Sequence, residues 1–368
     1  MEMRALGRTG MYVSKFCFGA GMFGYFGNSD QAECSRMVEA ALDAGINYFD
    51  TSDVYSHGES ETILGKALGR KRDDIVLATK FSLPMGGANP NMKGNSRRWI
   101  MKAAEDSLRR LGTDCIDLYQ VHRPDAATDI DETLGALSDL VRQGKVRYIG
   151  CSTFPAEQIV ESHWVAEKRG RERFRTEQPP YSMFARRIEA DVLPTVLRHG
   201  MSAIVWSPLS QGWLTGKWRR GSTPNDTHRQ NLQPHLYDMR RADNQRKLDL
   251  IEQLEQVARD AGVSLMHMAL GFVTAHPAVT SAIIGPRTFD QLEGLLAGAD
   301  VTLSRETLDA IDLIVPPGTN VSHDDDGYMP PEITDKALRR RPNVEQTHDN
   351  FRETISNIEK YRAAQQRK

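Results

Sequence analysis

The sequence predicts one (β/α)8 barrel, sealed at its bottom by a hairpin and followed by a charged C-terminal extension. Three observations predict it. Short apolar runs alternate with helical-period segments, and the alternation repeats eight times in about 300 residues, enough for such a barrel. Most runs are β-branched or aromatic and polar on neither face, as expected of parallel strands covered on both sides. No linker or break in composition interrupts the series, so residues 1–317 read as one domain and 318–368 as an extension.

Taken in order, residues 2–14 carry the turn signal Gly7-Arg8-Thr9-Gly10 and read as the sealing hairpin. The eight strands are expected at Phe16–Gly19, Asn47–Asp50, Ile75–Thr79, Ile116–Gln120, Arg147–Cys151, Arg175–Gln178, Ala203–Trp206 and Ala282–Gly285. Helical punctuation lies between them. Ser29-Asp30 opens a helix that Gly45 closes, and SRRWIMKAAEDSLRRLG runs from Ser96 to Gly112. DETLGALSDLVRQG runs from Asp131 to Gly144, with an acidic start and a glycine stop. Two segments exceed the barrel. Residues 215–243 read as a long polar loop after the seventh strand. Residues 325–368 read as a charged tail with Arg339–Arg341 and a terminal helix from about Val344 to Arg362, its charges forming a solvated face.

Composition removes several function classes. Lys and Arg (47) nearly balance Asp and Glu (49), for a net charge of −2, so the basic field that tracks nucleic-acid phosphates is absent. No apolar stretch approaches the roughly 20 residues that span a bilayer. The N-terminal MEMRALGRTGMYVSK lacks an apolar core, so export is not expected. Cys17, Cys34, Cys115 and Cys151 are far apart and show no zinc spacing. A reducing cytoplasm is the expected compartment.

Gly19-Ala20-Gly21-Met22-Phe23-Gly24 is a literal GxGxxG after a strand. The dinucleotide-binding reading of that motif needs a helix opening inside it. Helical spacing starts only near Asp30, so the motif reads as a loop at the barrel mouth. A distributed signal is stronger. Reactive side chains of such barrels sit at the C-terminal ends of strands. Asp50 ends strand two, with Tyr55 following in FDTSDVY; Lys80 ends strand three in LATK; His122 ends strand four in LYQVH. Singly, these read as a helix cap, a rim aromatic, a surface charge and a core histidine. Four polar groups at three successive strand ends should converge.

Their chemistry is coherent. A phenol with a pKa near 10 is a poor acid–base group at neutral pH. A buried ammonium beside it favours the phenolate. The lysine needs a carboxylate to compensate its burial, which Asp50 can supply. His122 can orient a carbonyl oxygen. The set delivers a proton but holds no nucleophile, metal or hydride source, so an external reductant is implied.

At these residues the sequence resembles the aldo-keto reductase superfamily, in its bacterial NADPH-dependent branch related to potassium-channel β-subunits. The stretches GINYFDTSDVY, LATK, QVHRPD, IGCSTF, EQPPYS, WSPLSQGWLTGK and IIGPRTFDQL carry the resemblance, which covers residues 1 to about 317. It implies a TIM barrel and NADPH lying extended across the mouth. It also implies the catalytic tetrad Asp50, Tyr55, Lys80 and His122, with Tyr55 protonating a carbonyl oxygen as hydride arrives from nicotinamide C4. Ser152, Thr153 and Gln178 match the groups that hold the carboxamide, and Trp206 the aromatic under the nicotinamide. Ser207, Pro208, Leu209, Ser210, Gln211, Gly212 and Lys217 match the pyrophosphate segment. Gly285, Pro286, Arg287, Thr288 and Gln291 match the adenosine 2′-phosphate end, where the bland alternative pairs Arg287 with Asp290. Gly21, Met22 and Asp50 complete the cofactor set.

Three departures from the family pattern stand out. Thr153 replaces the asparagine common in IGxSNF, Gly294-Leu295 stands where many members have Glu-Asn against the adenine, and residues 325–368 exceed the usual end. That extension either shapes the pocket or serves a homo-oligomer. Met22, Phe23, Tyr25, Phe26 and Trp213 are candidate pocket walls for a bulky or aromatic carbonyl, against a reading as ordinary loop packing. The expectation is a cytoplasmic, metal-free NADPH-dependent carbonyl reductase acting on a small molecule, without nucleic-acid or membrane partners. A regulatory NADPH-binding subunit and a metal-dependent barrel hydrolase are the alternatives, the latter needing clustered His and carboxylate ligands.

Overall fold

Eight parallel strands close on themselves in chain order in a computed structural model that describes residues 1–330 except 88, 223, 225 and 226, together with residue 333. The expected terminal helix and the Arg339–Arg341 cluster lie outside the described residues. A hairpin of β1 (Met3–Ala5) and β2 (Tyr12–Ser14) precedes the barrel. The staves are β3 (Phe16–Gly19), β4 (Tyr48–Asp50), β5 (Val76–Phe81), β6 (Ile116–Val121), β7 (Val146–Ser152), β8 (Thr176–Gln178), β9 (Ser202–Val205) and β10 (Val279–Ile284). Strand β10 pairs with both β9 and β3, which leaves the barrel sheet without an edge. Each expected strand is present. The last begins at Val279 rather than Ala282, because His276 ends the preceding helix and the chain pairs with β9 at once.

Around the strands lie α1 (Gln31–Asp43), α2 (Glu59–Leu68), α3 (Arg97–Leu111), α4 (Ile130–Arg142), α5 (Ala156–Arg169) and α6 (Val192–Arg198). Then come α7 (His228–Leu232), α8 (Ala242–Asp260), α9 (Leu265–Ala275), α10 (Phe289–Leu296) and α11 (Arg305–Ile314). The caps are those expected from sequence at two helices. Asp30 accepts from Ala32 and Glu33 N–H, and Ser96 accepts from Trp99 N–H. For α4 the cap is Asp129, two residues before the expected start, since its carboxylate reaches Asp131 N–H.

The hairpin is a plug. Leu6 and Val13 join Cys17, Tyr48, Val76, Ala78, Leu118 and Ile204 in one buried cluster inside the barrel's lower end. The larger core lies between strands and helices.

Residues 215–243 differ from the expected polar loop. They contain α7 and a 3₁₀ turn at Pro234–Tyr237, and they bury Trp218 and Tyr237. Trp213 is only 1% exposed and stacks on Trp218, ring centroids 4.4 Å apart, with the Lys247 ammonium over its ring at 5.5 Å from the centroid. It is core, not a pocket wall. Aromatic stacking removed more apolar area from water than a rim position could.

After α11 the chain returns to the barrel mouth. Val321 N–H donates to the Phe184 carbonyl, and Lys247 binds the Asp325 carboxylate at 2.8 Å with both side chains buried. Arg241 pairs with Asp324. The turn ending at Gly327 thereby lies against Trp206 and Pro180, so closely that a Cβ on Gly327 would come within 2.9 Å of either. Among the described residues no helix is long and apolar enough to cross a membrane.

Candidate active site

The C-terminal ends of β4, β5 and β6 bring Asp50, Lys80 and His122 to one place, as parallel register demands: Asp50 pairs with Ala78, and Lys80 with Gln120. Lys80 is fully buried. Its ammonium donates to Asp50 Oδ1 at 2.5 Å and to the Thr51 carbonyl at 2.7 Å. The other carboxylate oxygen of Asp50 accepts from Gln178 Nε2 at 2.9 Å and from Gln120 Nε2 at 3.3 Å. Burial by itself would lower the Lys80 pKa, but Asp50 and the nearby phenol outweigh it and the ammonium is held above its ordinary value.

Tyr55 opens a 3₁₀ turn, Tyr55–Gly58, in which Ser56 and His57 adopt left-handed φ of 48° and 50°. The turn carries the phenol ring over the pair: Lys80 Nζ lies 5.1 Å from its centroid. The imidazole of His122 meets that ring edge-on at 5.7 Å. Gly21 makes room on the other side, where a Cβ would lie 3.4 Å from the tyrosine ring. Burial first, then the cations Arg123 and Lys80, push His122 well below the usual imidazole range, so it is neutral. Its Nδ1 lies 3.0 Å from Ser52 Oγ.

The expected cofactor positions line the remaining mouth. Ser152 Oγ donates to the Gln178 carbonyl at 2.8 Å, and Thr153, at φ 57°, donates its hydroxyl to the Ser152 carbonyl at 2.6 Å. Both hydroxyl oxygens keep lone pairs for a further donor. Trp206 follows β9, half-buried, with Arg123 6.0 Å from its ring centroid. Ser207, Ser210 and Gln211 all take left-handed φ, which folds Ser207–Gly212 back on itself. Pro208 is buried and Leu209 half-buried in this turn, while Lys217 beyond it is exposed. Met22 lies half-buried beside Gly27. Gly285 and Pro286 lead into α10, whose cap is Thr288; Gln291 closes the turn by accepting from Arg287 N–H at 2.8 Å. Among the described residues Arg287 forms no ion pair with Asp290 or any other carboxylate. Leu295 packs into the core and the Gly294 carbonyl bonds His267, so neither replaces the Glu-Asn pair.

One more of the candidate pocket walls lies in the core. Phe23 is fully buried against Phe18, not a pocket wall. Tyr25 and Phe26 stay partly exposed; they stack on one another at 5.2 Å, and Tyr25 also lies on His57 of the Tyr55 turn. The GxGxxG stretch is a short 3₁₀ turn, Ala20–Met22, and no helix opens inside it. Sequence reasoning missed Ser52, Gln120 and Arg123, although each lies inside or beside the motifs FDTSDVY and QVHRPD. It also missed Glu177, whose carboxyl is pushed up to about 8 by burial, against the Phe154 and Thr153 N–H groups. Among the described residues no three His, Cys, Asp or Glu side chains gather as a metal-holding set.

Fold and site together define a barrel with a buried Lys–Asp pair beneath a tyrosine at its mouth. The aldo/keto reductase family model matches residues 15–316. A Bacillus subtilis protein named "Uncharacterized oxidoreductase YrpG" is 38% identical over 86% of this chain and 96% of its own length. A rice (Oryza sativa subsp. japonica) protein named "Probable voltage-gated potassium channel subunit beta" is 36% identical over 86% and 97%. "Aldo-keto reductase YhdN" of B. subtilis is 34% identical over 86% and 94%. The chain belongs to the aldo/keto reductase family.

Proposed function

We propose that the protein is an NADPH-dependent oxidoreductase that reduces an aldehyde or ketone to the alcohol, with Tyr55 as the proton donor. The observation that carries this reading is the fully buried Lys80 ammonium, ion-paired to Asp50 and 5.1 Å from the Tyr55 ring. A fixed cation there favours the phenolate left when the phenol gives up its proton. His122, held neutral, can donate a hydrogen bond to the same substrate oxygen. Asp50 keeps Lys80 charged, and the two glutamine amides keep Asp50 in place.

The residues present suit a dinucleotide. Ser210 Oγ is buried with no hydrogen-bond partner among the described residues, in a turn closed by its own N–H groups, Ser210 donating to the Ser207 carbonyl at 2.8 Å and Gly212 to the Leu209 carbonyl at 2.9 Å. Arg287 offers a guanidinium that meets no carboxylate among the described residues, at the start of a helix, as a 2′-phosphate requires. Ser152, Thr153, Gln178 and Trp206 would hold the nicotinamide, the Ser207–Gly212 turn and Lys217 the pyrophosphate, and the turn from Gly285 to Gln291 the adenosine end. The chemistry supplied by the bound cofactor is hydride donation to the carbonyl carbon. Tyr55 supplies the proton to the oxygen, which balances the reduction.

The test is NADPH oxidation across aldehydes, sugar ketones, quinones and polycyclic ketones, before and after chelation. Turnover that survives chelation, with tryptophan fluorescence quenched by NADPH and the quench reduced in Trp206→Phe, is expected. NADPH binding without turnover of any carbonyl would overturn the enzyme reading in favour of a regulatory subunit. NADPH oxidation lost on chelation and restored by metal would replace the Tyr55 reading with a metal-assisted reduction, and metal-dependent hydrolysis with no NADPH oxidation would favour the hydrolase-type barrel.

A further inference from the structure

Ser52 and Asp53 lie between the candidate active site and a small cavity behind it. Ser52 Oγ is 3.0 Å from Nδ1 of His122, 3.2 Å from Asp53 Oδ1 and 3.3 Å from the Lys80 carbonyl oxygen. All of these side chains are buried. On the far side, Asp53 helps line a cavity of about 120 Å³ with Met85, Met92, Trp99 and Arg110. Asp53 Oδ2 and the indole nitrogen of Trp99 have no hydrogen-bond partner among the described residues. A polar cavity of that size can hold water.

We propose that Ser52 and Asp53 are positioning residues that fix the tautomer of His122 with its hydrogen on Nε2. The proposal rests on the reading in which His122 donates to the substrate oxygen. A neutral imidazole carries one hydrogen, and the bond made by one ring nitrogen decides which nitrogen holds it. The Ser52 hydroxyl has one hydrogen and three acceptors in reach. If it goes to the Lys80 carbonyl or to an ionised Asp53, Ser52 must accept from Nδ1–H, and Nε2 is left as a lone pair that cannot bind a carbonyl oxygen. If Asp53 keeps its proton, it donates to Ser52 Oγ. Ser52 then donates to Nδ1, and Nε2 carries the hydrogen.

The surroundings select the second arrangement. The shortest of the three Ser52 contacts is the one to His122. Burial, then the negative charge of Glu61, keep the Asp53 carboxyl well above the usual carboxylate range, against the pull of Arg110. Glu61 is itself tied to Arg110 at 2.6 Å and accepts from Thr79, so Arg110 is occupied and does not neutralise Asp53. The chain from Asp53 through Ser52 to His122 is therefore a set of one-way donors.

The experiment is nitrogen-15 NMR of the full chain labelled at histidine, with the His122 signals assigned by loss in His122→Gln, alongside steady-state kinetics. The expected wild-type signature is a pyridine-type Nδ1 and a pyrrole-type Nε2. Ser52→Ala should move both nitrogens toward averaged values and lower kcat about tenfold, the worth of one ordinary hydrogen bond, with KM little changed. Ser52→Thr keeps the hydroxyl, and Asp53→Asn keeps an N–H that can donate to Ser52, so both should retain the tautomer and most of the rate. A protonated Nδ1 in the wild type overturns the proposal, as does a Ser52→Ala variant with unchanged nitrogen shifts and kcat. The shifts are read without turnover, so failure to reduce any carbonyl would sink the reductase reading while leaving the tautomer answered.

Discussion

The two ends of the barrel turn the chain by different means. At the bottom, where helices lead into strands, the left-handed positions are glycines: Gly45 before β4, Gly112 before β6, Gly144 before β7 and Gly200 before β9. Among the described residues, those other than glycine with left-handed φ are Ser56, His57, Ser82, Thr153, Ser207, Ser210 and Gln211, all at the mouth in loops that follow β4, β5, β7 or β9. A side chain in that region costs about 1–2 kcal/mol, which glycine avoids. The bottom needs only a tight turn and a plug. The mouth keeps polar side chains despite the strain, and strain of this kind concentrates at functional sites. Buried polar groups are present at both ends: Lys80, Asp50, His122 and Glu177 at the mouth, and Lys15 and Asp117 at the bottom, where the plug itself packs through an apolar cluster.

The largest effect should come from the mouth. Tyr55→Phe should lower kcat by about 10²–10⁴-fold with NADPH affinity nearly unchanged, because the phenol acts on the substrate oxygen. Lys80→Met should be as severe, since it removes the cation beneath the phenol. A Tyr55→Phe enzyme close to wild-type kcat would remove Tyr55 from the mechanism. The contrasting substitution is at the bottom. Leu6→Ala in the fully buried plug should cost about 2–5 kcal/mol in denaturant unfolding and leave kcat of the folded protein unchanged. A loss of kcat there without loss of stability would show that the two ends are not separable.

Glu177 tests the buried charges through pH. Its folded carboxyl keeps its proton up to about 8, while the unfolded chain releases it near the ordinary glutamate value of 4.5. The protein therefore holds this stabilisation in full below pH 4.5 and loses it as pH rises through about 8. Glu177→Gln should match wild type at pH 4.5 and exceed it at pH 8 by on the order of a few kcal/mol. Parallel stability–pH curves for the two proteins would mean Glu177 is ionised in the fold.

Smaller effects concern the cofactor. Arg287→Ala should weaken NADPH binding about 10- to 150-fold, the worth of one charge-assisted hydrogen bond, and leave NADH nearly unaffected. Equal losses for both dinucleotides would assign Arg287 to the fold instead. Thr288 already caps α10, so Thr288→Ala should also reduce stability. The smallest change is expected of Ser210→Gly. It relieves a left-handed φ of 46° and should raise stability by about 1 kcal/mol while weakening NADPH binding. If stability falls, Ser210 is held by more than its backbone.

What the sequence by itself determined is what short-range physics controls. Eight apolar runs, the caps Asp30 and Ser96, the glycine stops and the hairpin turn act within a few residues, so each was legible one element at a time. Placement of Asp50, Lys80 and His122 at successive strand ends followed from the barrel's parallel register. Tertiary structure alone decided which loop side chains face the mouth. Trp213 reads as a rim aromatic until Trp218, Tyr237 and Lys247 enclose it. Phe23 reads as a wall until Phe18 claims it. Ser52 becomes significant only because β4 and β6 bring His122, 70 residues away, within hydrogen-bond reach. Loops at a barrel mouth pack against loops from other strands, and the free energy that orients their side chains lies in those non-local contacts, which no local pattern records.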